Sequence, residues 1–331
     1  MKKIINRPED YTDDMLRGIY EANKGKVKYV NDDLRCYCTA RKKEGKVAII
    51  TGGGTGHLPL FLGYVGENML DGCGVGSVFQ SPSAEEIYNI SKEVESGAGI
   101  LYLYGNYTGD IMNFDMASEL CQMEGIETRS IVGADDVNSN KDESKRRGVA
   151  GIFFMFKAAG AAASSMKSLD EVLASAERAK RNTRTVGFAL TPCVIPEVGH
   201  PNFTLKDDEM AMGMGIHGEP GIWNGKLKTA DEIASESLDT ILSDMPVEKG
   251  EEVALLINGL GATSVEELYI LAGSVFKILD GKGIKVYRTF VGEYATSMEM
   301  AGASISIMKI ESEEMKSELD MPVSTPFYTQ V

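Results

Sequence analysis

The sequence predicts an α/β fold, and three observations lead there. Short apolar, β-branched segments run straight into glycine-rich turns. Helical periods opened by Ser/Thr-x-x-Glu follow them, and both patterns recur in both halves of the chain. At 331 residues the chain has room for about two domains of ~150 residues each. The boundary is expected in the cationic stretch Asn182–Arg184, dividing residues 1–183 from 184–331.

In chain order, strands are expected at Val47–Thr51, Gly99–Tyr104 and Thr128–Val132, then at Thr185–Leu190, Glu252–Ile257, Lys285–Val291 and Ile305–Ile310. Each is short and bounded by Gly, Asn, Asp or Pro. Capping boxes place helix starts at Ser168–Glu171, Thr229–Glu232 and Thr263–Glu266, where the hydroxyl would accept from the N3 amide and the Glu would reach back. Val149–Ala163, rich in Ala and Phe, reads as a well-buried helix. Met210, Met212, Met214 and Ile216 alternate, predicting a strand with one apolar face that ends at His217.

Forty-nine acidic against thirty-four basic side chains leave a net charge of −15, the wrong sign for binding nucleic acid or an anionic membrane. The longest apolar runs fall well short of the ~18 residues of a membrane span. Met1–Tyr11 has no apolar core of a signal peptide, so a cytoplasmic chain is expected. Five scattered cysteines fit a reducing compartment. Cys36 and Cys38 read as core thiols, since no second pair or nearby His completes a metal-ligand set.

Gly52-Gly-Gly-Thr-Gly56 follows a strand but is not a nucleotide loop. His57 stands where a dinucleotide fingerprint needs glycine, and no Gly-Lys pair in the chain is followed by Ser or Thr. These glycines instead let backbone approach a small polar ligand, with His57 at the carboxyl end of the strand. Only three histidines exist: His57, His200 and His217. His57 and His217 lie among glycines, as substrate-facing imidazoles or as turn residues that bond only backbone; local sequence leaves both readings open. His200 reads as an ordinary loop residue. Asp110 follows its strand as His57 does, which allows an acid/base pair, but local sequence favours the N-cap of a helix over Ile111–Leu120.

Together the motifs Gly52-Gly-Gly-Thr-Gly-His57, Asn106-Tyr-Thr-Gly-Asp110, Lys145-Arg-Arg-Gly-Val-Ala150, Gly213-Met-Gly-Ile-His-Gly-Glu-Pro-Gly221, Asn258-Gly-Leu-Gly-Ala-Thr263 and Met321-Pro-Val-Ser-Thr-Pro326 resemble those of the dihydroxyacetone kinase K subunits. The resemblance covers essentially the whole chain. It implies two α/β domains, each a largely mixed sheet flanked by helices, with the substrate site between them, in a homodimer. It also implies that His217 forms a hemiaminal with the ketone carbon, a bond glycerol cannot make, and that His57 and Asp110 complete the catalytic set beside Gly54, Thr55 and Gly56. Nucleotide and Mg²⁺ would belong to a separate L subunit, so neither cofactor nor metal is expected on this chain. Its donor would be ATP or a phosphotransferase relay. The family also contains ketose-binding transcriptional coactivators, the alternative function. Three positions depart from the pattern: Leu58 replaces a Glu, Gly105 replaces a Lys, and Gly76–Ser81 lacks an acidic residue. These changes bear on substrate, and a four-carbon ketose such as erythrulose fits them.

Overall fold

The computed structural model describes residues 2–331. The first part of the chain runs α1 (Tyr11–Ala22), β1 (Val27–Val30), β2 (Asp33–Thr39), β3 (Ala48–Thr55), β4 (Gly72–Val78), α2 (Ala84–Val94), β5 (Ile100–Gly105), α3 (Thr108–Met123) and β6 (Thr128–Gly133). Its six strands form one sheet in the order β1-β2-β4-β3-β5-β6. The sheet is mixed, since β4, β3, β5 and β6 are parallel while β1 and β2 join antiparallel. Helices α4 (Ile152–Ser164) and α5 (Leu169–Arg181) follow.

A second six-stranded mixed sheet has the order β11-β10-β12-β7-β8-β9. Its strands are β7 (Thr183–Thr191), β8 (Glu209–Met212), β9 (Trp223–Lys226), β10 (Glu252–Gly259), β11 (Lys285–Gly292) and β12 (Ala301–Ile310), with α6 (Ala230–Asp244), α7 (Val265–Lys282) and α8 (Glu313–Asp320) around them. Only β10 and β11 pair in parallel.

Alternation along the strands decides which layer each side chain enters. In the first sheet Ala48, Ile50, Ile100, Tyr102 and Tyr104 pack with α2 and α3, whereas Ile49, Leu101 and Leu103 face the larger core. That larger core also takes Ala254, Leu256 and Met308 from the second sheet. Helix α4 lies in it and is buried on all sides, which explains why Phe153, Phe154 and Phe156 recur without a polar face. The opposite face of the second sheet packs Val253, Leu255, Ile305 and Ile307 beneath α6 and α7. The end of the chain returns to the connection between β3 and β4, where Glu67 bridges Ser324. Cys36 and Cys38 are both fully buried, as core thiols should be.

Four local expectations are corrected. The glycines after the first strand are not in a turn: β3 continues through Thr55, and Gly52–Gly54 lie within it because Pro82, Phe61 and Phe79 pack where a Cβ would be. The third helix cap slips by one residue: Ser264 is the N-cap and accepts from the Glu267 N–H at 3.4 Å, without the reciprocal bond of a capping box. Thr263 is unavailable as cap because its hydroxyl exchanges two hydrogen bonds with Gly302 of β12, at 2.7 and 2.8 Å. Strand β8 ends at Met212 rather than running to His217; Gly213 turns left-handed at φ 77°, and its N–H donates to the Gly187 carbonyl at 2.7 Å. Asp110 is no N-cap, for α3 starts two residues before it, after Tyr107. Among the described residues no helix is long and apolar enough to cross a membrane.

Candidate functional site

From the carboxyl end of β3 the chain crosses to β4 on one side, and from that of its neighbour β5 it crosses to β6 on the other, the place where α/β sheets open a crevice. His57 follows β3. Asp110 sits in the first turn of α3, just beyond β5. The loop from β8 to β9 brings His217 in from the second sheet, and the two imidazole centroids meet 4.7 Å apart at 76°. Two residues distant in sequence, one per sheet, thus share one point.

His57 is fully buried. Its Nδ1 lies 2.8 Å from the Thr296 carbonyl oxygen, so Nδ1 carries the proton and donates. Nε2 keeps the lone pair and has no partner. Burial, reinforced by the nearby His217, pushes its pKa down to about 3, so the ring is neutral at physiological pH. Asp110 is 5% exposed, and its Oδ1 also lacks a partner. Burial pushes this carboxyl up to about 6, against the smaller downward pull of Ser81 and His217.

His217 is fixed by its own loop. Its Nδ1 is 2.8 Å from Glu219 Oε1, and its backbone N–H donates to Oε2 at 2.9 Å. Burial pushes the Glu219 carboxyl up, but its hydrogen bond to His217 and the charges of His217 and Arg147 outweigh that and hold it at about 2. A carboxylate only accepts, so His217 Nδ1 bears a proton, and in the neutral ring Nε2 bears the lone pair.

Phe79 stacks on His57 at 4.8 Å and meets the His217 edge at 5.2 Å, while Tyr107 closes the other side of His217 at 4.8 Å. Phe79 adopts φ 59°, a strained backbone for a bulky residue, which places its ring between strand and histidines. Sequence reading missed Phe79, Tyr107, Glu219 and Thr296 as site residues. Tyr107 and Glu219 lay inside quoted motifs and Phe79 inside the Gly76–Ser81 loop, but nothing local marks Thr296.

The expected substrate-lining glycines flank this aromatic wall. A Cβ on Gly54 would lie 2.6–2.8 Å from the Phe79 and Gln80 backbone, and one on Gly56, at φ 100°, would lie 2.7 Å from the Phe79 ring. Between them, the buried Thr55 hydroxyl pairs with that of Thr12 at 3.3 Å. His200 is exposed in its loop. Gly105 has a local reason as well, because a Cβ there would press on the Tyr107 ring at 2.9 Å. Gly54→Ala is expected to push the Phe79 backbone off His57 and to destabilise the fold by about 1–3 kcal/mol, the usual cost of overpacking. Urea denaturation of the two proteins measures it, and an unchanged midpoint would show that the wall tolerates the methyl group.

The Dak1 domain model matches residues 17–327. A dihydroxyacetone-binding subunit of a PTS-dependent dihydroxyacetone kinase from Listeria innocua is 42% identical over 330 residues, covering 99% of each chain. A D-erythrulose kinase from Mycolicibacterium smegmatis is also 42% identical over 330 residues, covering 99% of this chain and 56% of its own. The solved structure of a dihydroxyacetone kinase operon co-activator superposes with a TM-score of 0.90 at 31% identity, covering 96% of this chain and 98% of its own. The family match over nearly the whole length, together with relatives this similar, establishes that this chain belongs to the Dak1 domain family.

Proposed function

We propose that this chain is the ketose-holding subunit of a kinase that phosphorylates dihydroxyacetone or a four-carbon relative, working as a cytoplasmic homodimer of two units, residues 1–183 and 184–331. The observation that carries this is the meeting of His217, polarised by Glu219, with His57, whose buried Nε2 has no partner; the buried Asp110 carboxyl, whose Oδ1 also has none, lies near enough for His217 to lower its pKa. In this reading the His217 Nε2 lone pair adds to the ketone carbon. A C–N bond forms, the C=O π pair moves to oxygen, and the net proton passes from Nδ1 to that oxygen, giving a neutral hemiaminal. Glu219 stabilises the positive charge the ring gains on the way.

The pKa values divide the remaining work. A ring at about 3 is too weak a base to deprotonate an alcohol, so His57 orients the substrate by accepting a hydrogen bond from a hydroxyl. A carboxyl at about 6 is ionised yet basic near neutral pH, which suits Asp110 to take the terminal hydroxyl proton as that oxygen attacks phosphorus. The phosphoryl group would come from a nucleotide held with Mg²⁺ on a partner L subunit, recharged by a phosphotransferase relay as the names of relatives such as the Listeria subunit suggest. A ketose-sensing coactivator would share the fold. Retention of the acid/base residues beside His217, with the higher identity to kinase subunits, favours the enzyme.

The test is a phosphorylation assay with the L subunit, a panel of three- and four-carbon ketoses, and either ATP or the relay as donor. Phosphorylation of at least one ketose, but not of glycerol, is expected. If no ketose is phosphorylated with either donor, the kinase reading fails.

A further inference from the structure

His217 and Glu219 are the inner end of a longer chain of charges. Arg147 Nη1 lies 3.9 Å from Glu219 Oε2, and the same guanidinium contacts Asp136 Oδ2 at 2.9 Å and donates to the Gly213 carbonyl at 3.0 Å. The arginine side chain is 15% exposed and that of Asp136 3%. Asp136 is itself fixed, because its Oδ1 accepts from the Asn138 N–H at 3.2 Å and its own N–H donates to the Arg147 carbonyl at 3.1 Å. Gly215 is the residue that lets the arginine in. A Cβ there would stand 2.2 Å from Glu219 Oε2 and 2.6 Å from Arg147 Nη1. Asp136 and Arg147 lie on the segment after β6, whereas Glu219 and His217 lie on the loop after β8, so the contact joins the two sheets' loops.

We propose that Arg147, gripped by Asp136, is a positioning residue: it holds the Glu219 carboxylate in place so that the His217 ring is locked with its proton on Nδ1 and its lone pair on Nε2. A carboxylate bonded to the backbone N–H of residue 217 and facing no cation would be free to swing, and the imidazole would then lose the partner that selects its tautomer. The guanidinium supplies the opposing anchor, with the Gly213 carbonyl fixing its plane. Only the identity of His217 as the ketose anchor rests on the function proposed above; the positioning by Arg147 stands on the contacts alone.

The test reads the histidine directly. Nitrogen-15 imidazole spectra of the full chain without ketose contain three histidines, and the His217 signal is assigned by its loss in His217→Gln. The wild type is expected to show the Nδ1–H tautomer. Arg147→Gln is expected to give a mixture of tautomers, Arg147→Lys to restore much of the wild-type signal, and Asp136→Asn to fall between, with the folded state of each followed by circular dichroism. Ketose affinity measured in parallel should drop by about ten- to a hundredfold in Arg147→Gln, as when an outer partner of a functional histidine is removed. A wild-type Nε2–H tautomer, or an unchanged His217 signal in both Arg147→Gln and Asp136→Asn, overturns the proposal. A tautomer shift without ketose binding to the wild type leaves the positioning role standing and sinks the functional reading instead.

Discussion

His217→Ala is expected to abolish the covalent ketose adduct and to lower ketose phosphorylation by about a hundredfold or more, the scale of losing a positioned catalytic group. Without the C–N bond the substrate keeps only hydrogen bonds, each contributing about 0.5–1.5 kcal/mol net. Those bonds are open to glycerol as well. The variant should therefore lose selectivity along with rate, and glycerol, excluded by the wild type for want of a carbonyl, should become a competitive ligand. The ring is only partly buried, so its removal leaves the loop contacts of Glu219 with the 217 backbone in place. Intact-mass measurement after soaking with the ketose reads the adduct directly. Equal ketose affinity in wild type and variant would remove the covalent anchor from the mechanism, and His200→Ala, in an exposed loop, should change neither quantity.

Asp110→Asn is expected to separate binding from chemistry: the adduct forms, while turnover with the L subunit falls by about 10²–10⁴-fold. In the wild type the rate should fall about tenfold per pH unit below pH 6, because the base must be ionised and its carboxyl titrates at about 6. The variant should lack this limb. Stability moves the other way. The folded pKa lies above the ~3.9 of an unfolded Asp, so the folded state binds this proton more tightly, and ionisation costs stability as pH rises from about 4 to about 6. The two-unit difference corresponds to up to about 3 kcal/mol above pH 6. A neutral amide of the same shape escapes that cost. Asp110→Asn should therefore melt higher than wild type at pH 7–8, the two converging near pH 4. An unchanged turnover, or a variant less stable at neutral pH, would show that this carboxylate is structural.

The sequence revealed the frame because strand period, capping boxes and glycine punctuation are local signals. Ser168 and Thr229 open the helices they were expected to open. Where a cap failed, a distant group had taken the side chain: Gly302, 39 residues downstream, holds the Thr263 hydroxyl. The two histidines were legible from their glycine settings, but not their difference. His57 is neutral because it is fully buried, and its Nε2 keeps the lone pair because Nδ1 donates to Thr296, far along the chain; no spacing near residue 57 announces either. Asp110 was misplaced by local reasoning since Gly-Asp before an apolar run is what a cap looks like; only the position of Tyr107 shows that the helix begins earlier. Phe79 escaped entirely, its role depending on an unusual backbone angle that a phenylalanine does not advertise.

The meeting of the two histidines from separate sheets has an evolutionary reading. The group that would recognise a ketose sits on the loop of one sheet, and the groups that would handle its protons sit at the strand ends of the other. Loss of the Asp110 carboxylate alone would therefore silence chemistry while leaving the ketose anchor in place, turning a catalyst into a receptor without new architecture. Drift in the β8–β9 loop would retune which sugar is captured and leave the proton-handling groups untouched. A scaffold divided in this way lets sensing and phosphorylation diverge along independent lines of descent.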